Sequence, residues 1–426
     1  MRSRAKPTLK TIGNFARHRG KDPPMAETGL TVNIQATALS AMLESAGTPR
    51  SLAAYRGALT PQQFDASSTE IAALAQGTAI HDLGWLRRAE VRGADRFRWL
   101  SGMVTNTVND LFPNSGAWNL VLNAQGRIQG DLTVWRDNEE QSPQRRTPDP
   151  DGVRKSDPML GTPFAGQSGL ELEIEAGQFE KLMAHMNQFI IMDDVELLPL
   201  GEESVCGAGA ETAIGVTGPQ VAEVLERLGL PFFANTMKRA QVGWNGLDLT
   251  VERAHGVLAP HFVFWVPCAG LPKLWSCIRT AGALPVGCAS LEAFRVAEGI
   301  PAYGIDILER DLPQETAQLR ALNFNKGCYL GQEIVERIRS RGNVHRHLRH
   351  LELEGPVPEP GTELKLADGS PAGHVTSAAE LPLEKGRRAF ALAMVRAEAE
   401  AKEEDLHYSS AAGEGTARIH ATHPVL

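Results

Sequence analysis

Stretches of alternating apolar and polar residues predict β-strands in this chain, and stretches of helical spacing lie between them. From Gly116 to Arg136 the alternation predicts a β-hairpin whose turn is 123–126. Just before it, Phe97, Leu100 and Met103 recur on one helical face. Further on, the pattern predicts strands at 170–174, 195–198, 247–252 and 262–266, and helices at 179–189 and 218–228. Two α+β units of this kind would form a cleft, the usual place for a small-molecule site.

The two ends of the chain follow other patterns. Helical segments at 34–46 and 71–75 are joined by a polar stretch around 48–68. After residue 340 the chain changes to short alternating strands separated by Pro and Gly, at 351–353, 363–366, 373–375 and 390–395. These strands predict a small β-barrel domain over 341–426. The main α+β domain is then expected over 31–340.

Two segments lack the composition of a folded core. The first 21 residues hold seven Lys or Arg and no acid, and a second methionine, Met25, follows Pro23-Pro24. A transit peptide has such a composition, but this segment lacks an amphipathic apolar face. We therefore expect residues 1–30 to be a disordered or over-extended N-terminus. Residues 138–169 are rich in Pro, Ser, Gln, Asp and Arg and predict a flexible insertion.

Composition narrows the class of protein. The 426 residues are 42% hydrophobic and 22% charged, with a net charge of -8, which is typical of a chain with two or three packed units. No apolar run approaches the roughly 20 residues that span a bilayer, so an integral membrane protein is not expected. The five cysteines, at 206, 268, 277, 288 and 328, form no Cys-x-x-Cys pair. Free thiols in a reducing compartment are expected, the cytoplasm or, in a eukaryote, the mitochondrial matrix.

One segment, Lys-Gly-Cys-Tyr-Leu-Gly-Gln-Glu at 326–333, combines a cysteine, a cation and a helix start. The helix is expected to begin near Gly331, where its first amide groups carry partial positive charge. Together with Lys326, these amides would favour the thiolate of Cys328. Gln332 and Glu333 would support the geometry from the first turn. The alternative is that Cys328 is a small buried hydrophobe.

The same segment resembles the signature of the YgfZ family, folate-binding proteins implicated in maturing iron-sulfur enzymes. That family is similar to the T protein of the glycine cleavage system, a tetrahydrofolate-dependent aminomethyltransferase. The resemblance runs from about Gly77 to the C-terminus and includes 120–127, 218–219, 294–301 and 373–377. It implies an α+β fold, in which a T-protein-like, folate-binding cloverleaf of two α+β subdomains is followed by a small C-terminal β-barrel.

The resemblance also implies a site for tetrahydrofolate or a one-carbon derivative. A carboxylate can hold the pterin edge by two hydrogen bonds, and an arginine can pair with the glutamyl tail. Asp131 and Arg127 offer these groups, although Gly130-Asp131 stands where the T protein has two consecutive acids. Asp131 could instead close the hairpin. Glu298 belongs to a further segment that the family uses near folate, and Gln332 and Glu333 complete the candidate set. Tyr303 could add a stacking face for the ring or be a core tyrosine at a turn.

Positive charge gathers after the cysteine segment, between Arg337 and His350. Such a stretch can attract polyglutamyl folate, RNA or an acidic partner, or be a solvated face. The neighbouring arginines argue against a metal site at His345, His347 and His350. No aromatic residues are interleaved, so direct nucleic-acid binding is not expected, and an effect on tRNA modification would be indirect.

These observations predict a folate-binding accessory protein for assembly or repair of iron-sulfur enzymes, with Cys328 as its reactive group and Lys326 as its activator. A cluster usually takes four thiolates, so any cluster would be shared with a client or assembly protein. The alternative enzyme is a tetrahydrofolate-dependent aminomethyltransferase, in which Asp131 would orient folate. A third possibility is a folate-binding regulator without turnover, in which Cys328 is structural.

Overall fold

The computed structural model describes most of the chain, namely residues 34–48, 50–138, 169–201, 210–342, 344–383 and 386–420. The N-terminus expected to be disordered, Cys206 and nearly all of the insertion expected at 138–169 lie outside these described residues.

A sheet of eleven strands organises the main part of the described chain. A separate pair of strands precedes it, β1 (Leu52–Tyr55) and β2 (Ala58–Pro61). The sheet strands are β3 (Ala79–Asp82), β4 (Leu86–Arg92), β5 (Ser115–Leu122), β6 (Ile128–Arg136), β7 (Leu170–Glu175), β8 (Glu196–Leu200), β9 (Glu211–Thr217), β10 (Lys238–Trp244), β11 (Leu247–Ala254), β12 (His261–Pro267) and β13 (Leu284–Val286). Their order is β13-β3-β9-β12-β11-β10-β5-β6-β7-β4-β8.

The sheet consists of two halves that meet at one place. Strands β10 and β5 are joined by the single register pair Lys238 and Ser115. On one side of this junction lie β13, β3, β9, β12, β11 and β10, and on the other β5, β6, β7, β4 and β8. The two α+β units expected from the sequence are therefore present, but they share one continuous sheet.

Helices cover the two halves and fasten the parts together. They are α1 (Ala38–Ser45), α2 (Ser67–Ala75), α3 (Arg96–Met103), α4 (Ala176–Asn187), α5 (Val221–Leu228), α6 (Leu271–Thr280), α7 (Cys288–Glu298), α8 (Gln332–Arg341) and α9 (Ala397–Glu400). Leu225 and Leu274 of α5 and α6 pack on Phe264 in one half. Leu100 and Leu182 of α3 and α4 share a core in the other. Burial of these apolar faces stabilises each half separately.

A closed six-stranded barrel follows. Its strands are β14 (Arg346–Glu354), β15 (Glu363–Lys365), β16 (Pro371–Leu383), β17 (Gly386–Arg396), β18 (Leu406–Ser410) and β19 (Gly413–Ile419). The first four overlap with the four strands predicted from the sequence, with β15 one residue shorter than predicted, whereas β18 and β19 were not predicted. Leu381 and Phe390 of the barrel pack with Phe294 of α7 in one buried cluster, which attaches the barrel to the main sheet.

The predicted hairpin is confirmed, since β5 and β6 pair antiparallel across the turn that starts at Asn123. Two predictions near the N-terminus were wrong. The stretch around 48–68 contains β1 and β2, which pair with each other, and Ala58 of β2 is buried in an apolar cluster. The first helix begins at Ala38 and not at Ile34, because the Thr37 hydroxyl accepts a bond from the Ser40 amide at 3.3 Å and caps the helix there.

In the part of the chain that the structure describes, no helix has both the length and the apolar character needed to cross a membrane.

Candidate functional site

A cavity of about 270 Å³ opens between the two halves of the sheet and α7. Most of its lining is apolar, and a few charged and aromatic side chains interrupt it, namely Asp131, Glu173, Glu175, Arg295, Glu298, Arg320, Trp118 and Trp135. An apolar lining with a few convergent polar groups is typical of a small-molecule site, in which the polar groups orient the ligand.

Asp131 lies on β6 with its carboxylate held by two side chains. The Trp118 indole donates to Oδ2 and the Gln178 amide donates to Oδ1, both at 2.8 Å. The Asp131 amide in turn donates to Gln178 Oε1 at 3.0 Å. Each carboxylate oxygen can accept a further bond, so the oriented carboxylate keeps the capacity to bind a ligand.

The neighbouring Gly130 has no room for a side chain. A Cβ placed on it would lie 2.6 Å from Gln178 Oε1 and 2.8 Å from both δ-carbons of Leu182. A side chain at this position would therefore require the ends of Leu182 and of Gln178, which holds Asp131, to move.

Glu298 ends α7 and turns its carboxylate toward the loop before β12. Its Oε1 accepts bonds from the amides of Val257 and Leu258, each at 2.9 Å. Burial nevertheless raises the pKa of Glu298 to about 7. Arg320 stacks on the Trp118 ring at 4.3 Å, and the charges of Asp131 and Glu298 both act on it. Burial lowers the pKa of Arg320 to about 10, so it remains a cation at neutral pH.

The raised pKa of Glu298 predicts a measurable effect on stability. The folded protein holds this proton up to a pKa of about 7, against 4.5 for the ordinary side chain, so stability falls as pH rises through that window. We expect Glu298→Gln, which keeps an oxygen for the amides, to remove up to about 3 kcal/mol of that decline. Urea unfolding between pH 4.5 and 8 measures it.

The exposed Glu333 provides the control, because Glu333→Gln leaves the slope with pH unchanged. Equal pH slopes for wild type and Glu298→Gln would contradict the burial argument.

Arg295 also lines the cavity, but its guanidinium is committed to holding the fold. It donates to Asp306 at 2.6 Å and to Ser377 of the barrel at 2.9 Å, and it pairs with Glu292. This buried cation therefore joins α7, the loop at 306 and strand β16.

The cysteine segment packs directly on the turn of the β5–β6 hairpin. Gly331 precedes α8 with φ of 81°, and a Cβ there would lie 2.6 Å from the Asn123 carbonyl oxygen. Gly126 has φ of 71°, and its Cβ would lie 2.8 Å from Cβ of Ile334. Both glycines are thus required for the turn and the helix start to touch.

Cys328 is exposed, whereas its neighbour Tyr329 is buried. The loop is anchored just after the thiol: the Tyr329 amide donates to Gln332 Oε1 at 3.3 Å and the Leu330 amide to the Gly102 carbonyl at 2.9 Å. The thiol therefore stands at the surface of a fixed loop. The alternative that Cys328 is a buried hydrophobe does not hold.

Lys326 is the second anchor of this loop. Its Nζ donates to the carbonyl oxygens of Val104 and Asn106 at 2.7 and 2.6 Å, and burial lowers the pKa of Lys326 to about 7. The amine is thus engaged with the loop after α3, and its influence on the Cys328 thiol stays a prediction.

The other residues predicted for the cofactor lie outside the cavity lining. Arg127 is exposed at the hairpin turn, where it donates to the Arg310 carbonyl. The Tyr303 hydroxyl accepts from Lys181 Nζ at 2.8 Å. Gln332 holds the cysteine loop, and Glu333 is exposed beside it. Of the eight predicted site residues, only Asp131 and Glu298 line this cavity of the described chain.

Three residues of the site were missed by sequence reasoning. Trp118 and Gln178 orient Asp131, and Arg320 lies near both predicted carboxylates. Trp118 lies on the predicted hairpin opposite Thr133, and Asp131 lies two residues from Thr133 on the same face of β6. Its cross-strand neighbourhood to Asp131 was therefore available as a signal. Arg320 lies in an irregular segment without periodicity, so no pattern identified it.

The positive stretch is largely paired with acids. Arg346 contacts Asp311 and Glu315 at 2.7 and 3.0 Å. Arg349 and His347 both contact Glu400, at 2.6 and 2.9 Å. These pairs join the barrel to its surroundings and reduce the positive electrostatic potential that would attract an anion.

Comparison with known proteins defines the class. The chain superposes on the glycine cleavage system aminomethyltransferase T from Bartonella henselae with a TM-score of 0.74 and 18% identity, over 91% of this chain and 97% of that one. The protein therefore has a GcvT-like fold with a closed C-terminal barrel, as predicted. Residues 36–142 match the GCVT N-terminal domain and residues 345–425 match the CAF17 C-terminal β-barrel domain.

The two domain matches agree with the resemblance to the YgfZ family inferred from the cysteine motif, and that resemblance is confirmed. Curated relatives are distant. A putative chloroplastic transferase of Arabidopsis thaliana is 24% identical over 74% of this chain, which spans 65% of that protein's length. An aminomethyltransferase of Thermoanaerobacter pseudethanolicus is 21% identical over 76% of this chain and 80% of its own.

Proposed function

We propose that this protein binds a reduced folate in the central cavity and serves as an accessory factor in the assembly or repair of iron-sulfur enzymes. Cys328 is its reactive group, acting in a reducing compartment such as the cytoplasm. One observation carries the proposal: the β5–β6 hairpin that holds Asp131 in the cavity also packs against the Cys328 loop, where Gly126 meets Gly331.

The lining of the cavity supports a folate. A pterin ring offers several N–H donors, Asp131 offers an oriented carboxylate, and Glu298 offers an oriented carboxyl group as acceptor. Arg320 supplies a cation beside them for the ring oxygen or the glutamyl tail. The volume of about 270 Å³ is near the lower limit for small-molecule sites, so the ring would be enclosed and the tail would extend outside.

Aminomethyl transfer is the alternative, because several relatives are named aminomethyltransferases. The glycine at 130 speaks against it here. The T protein has a second acid at that place, and this chain has no carboxylate there, since Gly130 precedes the single acid Asp131. The accessory role with bound folate is therefore favoured over turnover. An assay with a lipoylated carrier protein and tetrahydrofolate is expected to show no aminomethyl transfer, and turnover there would overturn this preference.

Folate binding is tested by calorimetric titration with 5-formyltetrahydrofolate. We expect Asp131→Asn to weaken binding by about tenfold or more, because hydrogen bonds to a charged acceptor contribute about 1.5–3 kcal/mol. The exposed Asp110 is the matched control, and Asp110→Asn leaves the affinity unchanged. Absence of saturable binding to the wild type would overturn the folate part of the proposal.

A further inference from the structure

Two histidines and a threonine form a relay on the wall of the same cavity, on three neighbouring strands. His81 of β3, Thr217 of β9 and His261 of β12 all line it. Thr217 Oγ1 lies 2.9 Å from His81 Nε2 and 2.7 Å from His261 Nδ1. The two imidazole rings stack at 5.6 Å with an interplanar angle of 10°.

The backbone fixes this arrangement. Thr217 and His261 are partners in the β9–β12 register, and His81 lies opposite Gly215 in the β3–β9 register. A Cβ on Gly215 would lie 2.0 Å from His81 Cε1, so the glycine makes the space that the ring occupies.

The backbone carbonyl group of Asp82 indicates which nitrogen of each histidine in the relay carries the proton. His81 Nδ1 lies 3.4 Å from the Asp82 carbonyl oxygen, which can only accept, and this contact favours the tautomer with the proton of His81 on Nδ1. His81 Nε2 must then accept from the Thr217 hydroxyl. The Thr217 oxygen can accept in its turn, and it does so from a proton on His261 Nδ1.

Both rings are neutral at physiological pH. Burial lowers the pKa of His81 to about 3, and burial with the nearby Arg253 charge lowers the pKa of His261 to about 4. A neutral ring with its proton on Nδ1 has a lone pair on Nε2. Among the described residues, His261 Nε2 has no hydrogen-bond partner, although the side chain lines the cavity.

We propose that His261 is a specificity-determining residue of the cavity, whose Nε2 accepts a hydrogen bond from a ring N–H of the bound ligand. Thr217 and His81 are positioning residues that hold the tautomer in which Nε2 is an acceptor. The identity of the ligand rests on the proposed function. The pterin edge that carries the 2-amino group has two adjacent donors, which suit the two oxygens of a carboxylate. His261 offers a single acceptor, so we assign it to one of the N–H groups that the ring gains on reduction.

The tautomer is measured first, without ligand, by long-range ¹H–¹⁵N correlation on protein labelled with ¹⁵N-histidine. We expect the Nδ1–H tautomer for His261 in the wild type. Thr217→Val removes the relay with little change in volume and is expected to return His261 to the Nε2–H form. An Nε2–H tautomer of His261 in the wild type would overturn the inference.

Selectivity is measured next, by anaerobic titration with tetrahydrofolate and with folic acid, which lacks the ring N–H groups at N5 and N8. We expect the wild type to prefer tetrahydrofolate by about tenfold or more, and His261→Phe to reduce that preference to about threefold or less. Thr217→Val is expected to reduce it as well. His407→Phe, at an exposed position on β18, is the control and keeps the full preference.

The outcomes separate the two proposals. If the wild type binds neither compound, the proposed function and this inference both fall. The wild type could bind tetrahydrofolate while His261→Phe, shown to be folded by its thermal unfolding transition, keeps the same preference. In that case the folate proposal stands and the proposed role of His261 is wrong. If His261→Phe does not fold, the preference of Thr217→Val decides in the same way.

Discussion

Cells that lack this protein are expected to regain the activity of their iron-sulfur enzymes with the wild type and not with Cys328→Ser. The serine hydroxyl has nearly the shape of the thiol, but it is a poor ligand for iron and cannot carry sulfur. Because Cys328 is exposed and is not part of a core, the change in stability is expected to stay within about 0.5 kcal/mol. Enzyme activities in extracts of the complemented strains measure the effect.

Cys277 supplies the matched control, since it is a free, half-buried cysteine on α6, far along the chain from the motif. Cys277→Ser is expected to restore activity as the wild type does. If Cys328→Ser also restores it fully, the thiol has no chemical role and folate binding alone carries the function. If the wild type itself fails to restore activity, the accessory role is wrong, and aminomethyl transfer becomes the function to measure.

The residues around Cys328 show what a sequence can predict locally. The start of α8 near Gly331 follows from helical spacing, and the hairpin from 116 to 136 follows from alternation. Both are properties of neighbouring residues. The contact between Gly126 and Gly331 is a property of the tertiary fold, and a glycine pattern alone does not show which glycines face each other.

The cavity shows the same limit for function. Asp131 and Glu298 were identified through family resemblance. A resemblance assigns a role to a residue only where the surrounding sequence also matches the motif of the family. Thr217 of the relay lies on a strand that no motif singled out, and Arg320 lies in an irregular segment. Their roles depend on the order β3-β9-β12 in the sheet and on the path of the chain before α8, which only the folded structure reveals.

The junction between the two halves of the sheet contains a buried charge network. Arg239 of β10 donates to Asp137 and to Glu171, the latter at 3.0 Å, and it lies 3.6 Å from Glu252. Arg88 contacts the same Glu171 at 3.3 Å. Burial raises the pKa of Asp137 and of Glu252, and the two arginines oppose that rise. The network is stable only while its cations are present.

Replacing Arg239 by methionine is therefore expected to lower the free energy of unfolding by about 3–5 kcal/mol at pH 7, because it leaves buried carboxylates without their main cation. Part of the loss is expected to recover as pH falls from 7 to 5. In the variant the carboxylates have higher pKa values, so its folded state takes up more protons in that range than the unfolded chain does. Urea unfolding at both pH values measures the two effects.

Arg387 is the matched control, since it is an exposed arginine that contacts Glu380 at 2.8 Å on the barrel. Arg387→Met is expected to cost less than about 1 kcal/mol, as exposed ion pairs do, and to show no recovery at pH 5. Arg239→Lys, which keeps the charge but not the fork of donors, is expected to lie between the two. A loss below about 1 kcal/mol for Arg239→Met would mean that the carboxylates at this junction are neutral in the folded protein and need no cation.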